Sequence, residues 1–256
     1  MNIPEKLIEL RRIMDRENIA AYIISGTDPH NSEYLPAPWQ QRKWISGFTG
    51  SYGTVVVTKN EAGLWTDTRY FIQAEKELAG SGIKLHKLRI PGAVDYPQWL
   101  AEVLESGTKV GIDGFCMSVS DVRNLKNALS PKNITIQKQI DLLGEMWFDR
   151  PALPVEKIIR LDTKYVGESA GERIGKIREF IRDNHGDAML FSCLDEIAWL
   201  YNIRCNDIAY NPVAISYAIV EKDKAHLFIK LDKISQEIEQ QLAEDGIELH
   251  DYHVFH

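Results

Sequence analysis

Two stretches decide the fold: Ala21-Tyr22-Ile23-Ile24-Ser25 and, far downstream, Ala188-Met189-Leu190-Phe191-Ser192. Each is a short apolar run of strand length that ends in serine, and each follows an amphipathic helix pattern. Before the first, Leu7, Leu10, Ile13 and Met14 recur at helical spacing between Pro4 and Ile19. Before the second, Ile174, Ile177, Phe180 and Ile181 fall in the same phase and at the same distance from the strand. A further match follows at nearly the same offset. Val55-Val56-Val57, a polar turn at Thr58 to Glu61 and Leu64-Trp65 form one expected hairpin. Ala218-Ile219-Val220, a turn at Glu221 to Lys224 and Leu227-Phe228-Ile229 form another. Helix followed by strand is common in α/β proteins, but agreement over two separate elements favours a duplicated unit. The expected fold class is α/β, with two similar domains, each a mixed β-sheet flanked by helices.

The expected domains are 1–150 and 155–256, divided at Asp149-Arg150-Pro151-Ala152-Leu153-Pro154, where two prolines stop a helix and favour an extended linker. The first domain carries extra elements: a helix over Tyr96 to Leu104, a strand over Val110 to Ile112, a helix over Ser120 to Leu129 with Ser120 as its cap, and a strand over Ile134 to Ile136. The second closes with a helix over Lys233 to Ala243, a strand around Ile247 to Leu249 and the tail His250-Asp251-Tyr252-His253-Val254-Phe255-His256.

Composition narrows the class. Of 256 residues, 44% are hydrophobic and 26% charged, which excludes disordered and collagenous chains. A net charge of −7 (30 Lys+Arg against 37 Asp+Glu), with no basic run, argues against a nucleic-acid partner. Cys116, Cys193 and Cys205 are too few and too scattered for a disulfide framework. The N-terminal residues are charged throughout, unlike a signal peptide, and no uncharged run reaches the roughly 20 residues of a membrane span. The expectation is a cytoplasmic protein with no membrane partner.

The chain lacks HExxH, a phosphate loop and a GxSxG elbow. No Asp is followed by another eleven residues later. His250, His253 and His256 would share a helical face and could hold zinc or nickel, or they are simply a chain end; no metal ligand is assigned. Gly47-Phe48-Thr49-Gly50-Ser51-Tyr52-Gly53 is either a tight turn feeding the hairpin or a loop that lets a ligand or another domain approach. Asp67 caps the helix that runs to about Leu78, and Arg69 then opposes the helix dipole, which points either to a specific partner, such as a carboxylate of another domain or a substrate, or to an exposed arginine beside its local Asp. His30 and Glu33 lie in the loop after the first strand, as an acid/base pair or as turn residues. Ser192 to Asp195 has the S-x-x-D capping pattern.

Ser32-Glu33-Tyr34, then Arg42, then Ser46 to Gly53, then Leu64 to Ala74 together resemble the amino-terminal domain of Xaa-Pro aminopeptidases (aminopeptidase P). Leu194 to Val220 resembles the second domain of the long, three-domain, cytosolic form. The resemblance runs from about Ile8 to Leu249. It implies two creatinase/prolidase-type N-terminal domains, and a pita-bread catalytic domain that is absent. In the family that third domain holds two divalent metals, usually manganese, through two Asp, a His and two Glu, and dimers form largely through it. The resemblance therefore implies no catalytic residue and no cofactor in these residues. It implies a role in shaping and gating the site of the chain's own C-terminal domain, which removes the first residue from Xaa-Pro peptides. Asp67, Arg69, Tyr70, Arg204, Asp207 and Asn211 are the candidates for gating or interdomain contact. Two departures stand out: Asp67-Thr68-Arg69 for Asp-Gly-Arg, and Arg204-Cys205-Asn206-Asp207 for Arg-Gly-Ser-Asp. The alternative is a non-enzymatic peptide- or protein-binding module of the same superfamily.

Overall fold

The first helix, α1 (Ile3–Arg16), starts at a capping box: Asn2 accepts from the Glu5 N–H, and the Glu5 carboxylate accepts from the Asn2 N–H. The second repeat starts the same way, with Ser169 and Glu172 closing the box on α7 (Ala170–Asp183). Both helices run into a residue of left-handed backbone, Asn18 and His185, before a strand begins. The duplicated signal therefore extends to caps and turn geometry. The computed structural model describes residues 1–255. The chain divides into two units, Met1–Ala152 and Leu153–His256.

In the first unit the order after α1 is β1 (Ala21–Ile24), α2 (Gln41–Ser46), β2 (Thr54–Thr58), β3 (Ala62–Thr66), α3 (Phe71–Glu77), β4 (Lys84–Lys87), α4 (Tyr96–Val103), β5 (Lys109–Ile112), α5 (Val119–Leu129) and β6 (Thr135–Gln137). The sheet order is β4-β3-β2-β1-β5-β6. β1 is antiparallel to β2, with Ile23 opposite Val56, and parallel to β5. One face packs on Leu7, Leu10, Ile13 and Met14 of α1. The other packs on Leu100 of α4 and Leu125 and Leu129 of α5. Burying one such side chain contributes about 1.5–3 kcal/mol, so α1 is held by its apolar stripe more than by intrinsic propensity. The cap of α5 is Ser118, not the expected Ser120, because Val119 already has helical backbone.

In the second unit the order is β7 (Ile159–Arg160), α6 (Thr163–Val166), α7, β8 (Ala188–Phe191), α8 (Leu194–Leu200), β9 (Ile203–Arg204), β10 (Ser216–Glu221), β11 (Ala225–Ile229), α9 (Gln236–Glu244) and β12 (Ile247–Asp251). The sheet order is β12-β11-β10-β8. Its pairings repeat those of β4-β3-β2-β1: β11 parallel to β12, and β10 antiparallel to both β11 and β8. Among the described residues this sheet has no counterpart of β5, β6, α4 and α5, and Leu190 on β8 is 57% exposed.

Four expectations are corrected here. α9 starts after the Ser235 cap rather than at Lys233, which lies in a preceding turn of 3₁₀ helix and is buried. α8 is capped at Cys193, one residue after the expected Ser192. Phe180 is 55% exposed, although its counterpart Ile13 is buried. The cluster that buries Ile13 also contains Leu142, Leu143 and Met146, and the second unit's core has no matching segment among the described residues. The tail does not continue as a helix: His250 lies in β12, His253 lies in a short 3₁₀ turn, and His256 lies outside the described residues. His250 and His253 therefore do not share a helical face. Among the described residues no helix is long and apolar enough to cross a membrane.

Candidate functional site

In the first unit the candidates gather where β3 gives way to α3. Asp67 is fully buried and caps a 3₁₀ turn (Thr68–Tyr70), accepting from the Arg69 N–H at 3.2 Å; α3 begins only at Phe71. Of the two readings of Arg69, the structure shows the exposed arginine beside its local aspartate, Asp67. The guanidinium donates Nε to Oδ1 at 3.1 Å and Nη2 to Oδ2 at 3.0 Å, and its side chain stays 55% exposed. Arg89 approaches the same carboxylate at 3.5 Å. The Arg69 hydrogen bond, more than the Arg69 and Arg89 charges, holds the Asp67 carboxyl below its ordinary value. That contribution to stability is present at neutral pH and is lost as pH falls through the lowered value. Tyr70 is half-buried, its hydroxyl 2.7 Å from the Ser51 hydroxyl and its ring edge-on to Phe48. Thr68 takes ordinary backbone rather than positive φ, so the loop closes without needing a glycine there.

The glycine-dense loop is strapped from inside by Arg42, which sequence reading used only as part of a motif. Arg42 is buried on α2, donates to the carbonyls of Gly50 and Gly53 and lies over the Phe48 ring. Burial without a carboxylate partner pushes its guanidinium down to about 10. Two glycines are required here, Gly26 by the strap and Gly53 by the neighbouring strand β3. A Cβ on Gly26 would stand 2.2 Å from the Arg42 guanidinium, and Gly53, at φ +152°, leaves only 2.9 Å between such an atom and the Trp65 carbonyl. The loop thus borders a cleft of about 280 Å³ shared with Thr27, Asn31, Tyr52 and Tyr96. A larger cleft lies at the other ends of β1 and β5, against Asp15 and Lys109, and includes none of the candidates. His30 is buried, its ring edge-on to Trp39, while Glu33 is exposed.

In the second unit the stretch from Arg204 to Asn211 is held by its own side chains. Arg204 donates to the carbonyls of Ala198 and Ile203. Asp207 is buried in an ion pair with Lys233 and accepts the Ile215 N–H at 2.7 Å. Cys205 is buried and donates its thiol to Asp207 at 3.3 Å; burial pushes that thiol up to about 11. The Asn211 N–H donates to the Ile208 carbonyl. The turn so formed projects Tyr210 fully into solvent at φ +64°. The burial of Lys233 was missed by sequence reading because it depends on a distant partner, while Tyr210 lies in the loop 206–211 expected to face the catalytic domain but was not singled out.

A two-metal hydrolase centre needs enough ligands to hold two ions about 3.5–4 Å apart. Among the described residues, three or more metal-ligating side chains meet at His226, Glu248 and His250, with a single carboxylate. That set does not fit a two-metal centre, so no step of hydrolysis is assigned to residues of this chain.

Comparison with known proteins supplies the class. The profile described as the Creatinase/Prolidase N-terminal domain matches residues 6–143, and a second profile of the same description matches 149–256. The chain belongs to the creatinase/prolidase N-terminal domain family and carries that domain twice. It is 40% identical over 255 residues to aminopeptidase P2 of Arabidopsis thaliana, covering 98% of this chain and 36% of that protein. It is 38% identical to Xaa-Pro aminopeptidase 1 of Dictyostelium discoideum, covering 98% of this chain and 41% of the relative. The X-prolyl aminopeptidase of Caenorhabditis elegans, described as a cytosolic enzyme with a di-nuclear active site, superposes with a TM-score of 0.93 at 33% identity, over 99% of this chain and 43% of that one. The chain thus spans well under half the length of each of these proteins.

Proposed function

We propose that this chain is the non-catalytic N-terminal part of a proline-specific metalloaminopeptidase, one that removes the first residue from Xaa-Pro peptides in the cytoplasm. The observation that carries the reading is the continuous match of nearly the whole chain to under half of an enzyme with a di-nuclear site, joined to the single-carboxylate donor set found among the described residues. The metals, manganese in this reading, belong to the C-terminal catalytic domain, which is this chain's principal partner; homodimers of the full protein form through that domain. The two units present loop faces that limit which peptides reach the site.

Asp67, Arg69, Tyr70, Arg204, Asp207 and Asn211 divide by their geometry. The buried Asp67 and Asp207 and the tethered Arg204 and Asn211 hold loops in shape. Arg69, Tyr70 and the exposed Tyr210 are the side chains presented to a substrate or to the catalytic domain. In the full-length enzyme, Arg69→Ala combined with Tyr210→Ala should reduce by about tenfold the preference, in kcat/KM, for a short Xaa-Pro peptide over a long one. Loss of the Arg69 bonds to buried Asp67 should lower stability somewhat, so selectivity is compared at a temperature where circular dichroism shows the double variant folded. Unchanged length selectivity in a folded double variant would remove the gating role.

The binding-module alternative makes a different demand: the same fold would engage peptide with no hydrolysis by any form of the protein.

A further inference from the structure

The parallel pairing of β11 and β12 sets His226 beside Glu248 and Phe228 beside His250. Side chains alternate along a strand, so all four project from one face of the sheet. His226 Nδ1 lies 2.9 Å from His250 Nε2 and 3.6 Å from a Glu248 carboxylate oxygen. The three ligand atoms fall within 4.8 Å of one another. Around a tetrahedral zinc with ligand bonds of about 2.0–2.1 Å, neighbouring ligand atoms stand about 3.3 Å apart, so only small rotamer changes separate this cluster from a coordination shell.

The surroundings match what a ligating histidine needs. Glu221 lies 3.7 Å from Nε2, the far nitrogen of His226, where a carboxylate can fix the tautomer and leave Nδ1 to the ion. Phe228 stacks on the His250 ring at 4.8 Å and holds its orientation. Lys224 pairs with the outer Glu248 oxygen at 3.2 Å and leaves the inner one toward His226. The Glu248 side chain is 49% exposed, so water can reach a fourth position.

The duplicated fold provides an internal control. At the same register in the first unit stand Gly63, Lys84, Trp65 and His86. The aromatic–histidine stack recurs there, Trp65 on His86 at 4.0 Å, and Lys84 pairs instead with Glu61. Packing of the repeat therefore accounts for a histidine at 250. It does not account for a second histidine at 226 with a carboxylate at 248.

We infer that His226, Glu248 and His250 form a mononuclear site for a borderline divalent transition ion of the zinc class, fastening edge strand β12 to β11. Two imidazoles and one carboxylate favour zinc, cobalt, nickel or copper over magnesium, calcium or manganese. The site is separate from the peptidase reading and does not rest on it.

The test uses the untagged 256-residue chain, stripped with a chelator and dialysed. Zinc is titrated against a chromophoric chelator, and cobalt is followed by its visible ligand-field bands. One ion per chain is expected, with bands of four-coordinate intensity. Glu248→Gln should weaken binding at least tenfold, and His226→Ala or His250→Ala should abolish it. Glu221→Gln should cost about 10-fold or more. His253→Ala should bind as wild type. Circular dichroism of each metal-free variant separates lost ligand from lost fold, and the nearly isosteric Glu248→Gln carries the test if a histidine variant unfolds. Sub-stoichiometric binding, a preference for manganese, or wild-type affinity in Glu248→Gln and in the histidine variants would overturn the site.

Discussion

Replacing Asp207 with alanine is expected to destabilise the second unit by about 3–5 kcal/mol. The reason is what it leaves behind. Lys233 and Asp207 have side chains 1% and 0% exposed, and each is the other's charge partner. Removing the carboxylate strands a buried ammonium and also takes the acceptor from the Ile215 N–H. The matching double variant, Asp207→Ala with Lys233→Met, should recover much of the loss, because two apolar groups need no partner. Hydrogen exchange resolves the effect by unit: protection should fall in peptides from 188–251 and stay unchanged in those from 3–137. A loss below about 1 kcal/mol, the level of a surface pair, would mean that water reaches this ion pair.

Arg42→Met should cost the first unit about 2–4 kcal/mol, with the damage centred on the glycine loop. The guanidinium is the donor that turns the carbonyls of Gly50 and Gly53 inward, and methionine fills its volume but donates nothing. Arg42→Lys should recover only part of the loss, since a point ammonium cannot reproduce a planar fork that serves several carbonyls. Five of the six tryptophans lie in this unit, so fluorescence-detected denaturation reads it directly. A wild-type midpoint for Arg42→Met would show that the loop holds its shape without the strap.

These two residues also show where sequence reading stops. The duplication was legible because its signals are local: apolar phase in α1 and α7, apolar runs in β1 and β8, and polar turns between hairpin strands. The capping boxes at Asn2–Glu5 and Ser169–Glu172 were equally local and were overlooked. Arg42 and Lys233 look like ordinary surface cations in the sequence, and only long-range packing buries them. Asp67 was placed at a helix entry and beside Arg69, but the 3₁₀ turn that intervenes before α3 is announced by no periodicity. The tail histidines were grouped by spacing on a helix that does not form. Strand register instead sends His250 to His226, a pairing that requires knowing which strands are neighbours.

The central claim is that these residues position and restrict a catalytic centre they do not contain. Its most direct test is release of the first residue from an Xaa-Pro-Pro peptide with added Mn²⁺, measured for this 256-residue chain beside the full-length gene product. Cleavage by the longer protein alone, abolished by a chelator, is the predicted result. Chelator-sensitive cleavage by the 256-residue chain on its own would contradict it.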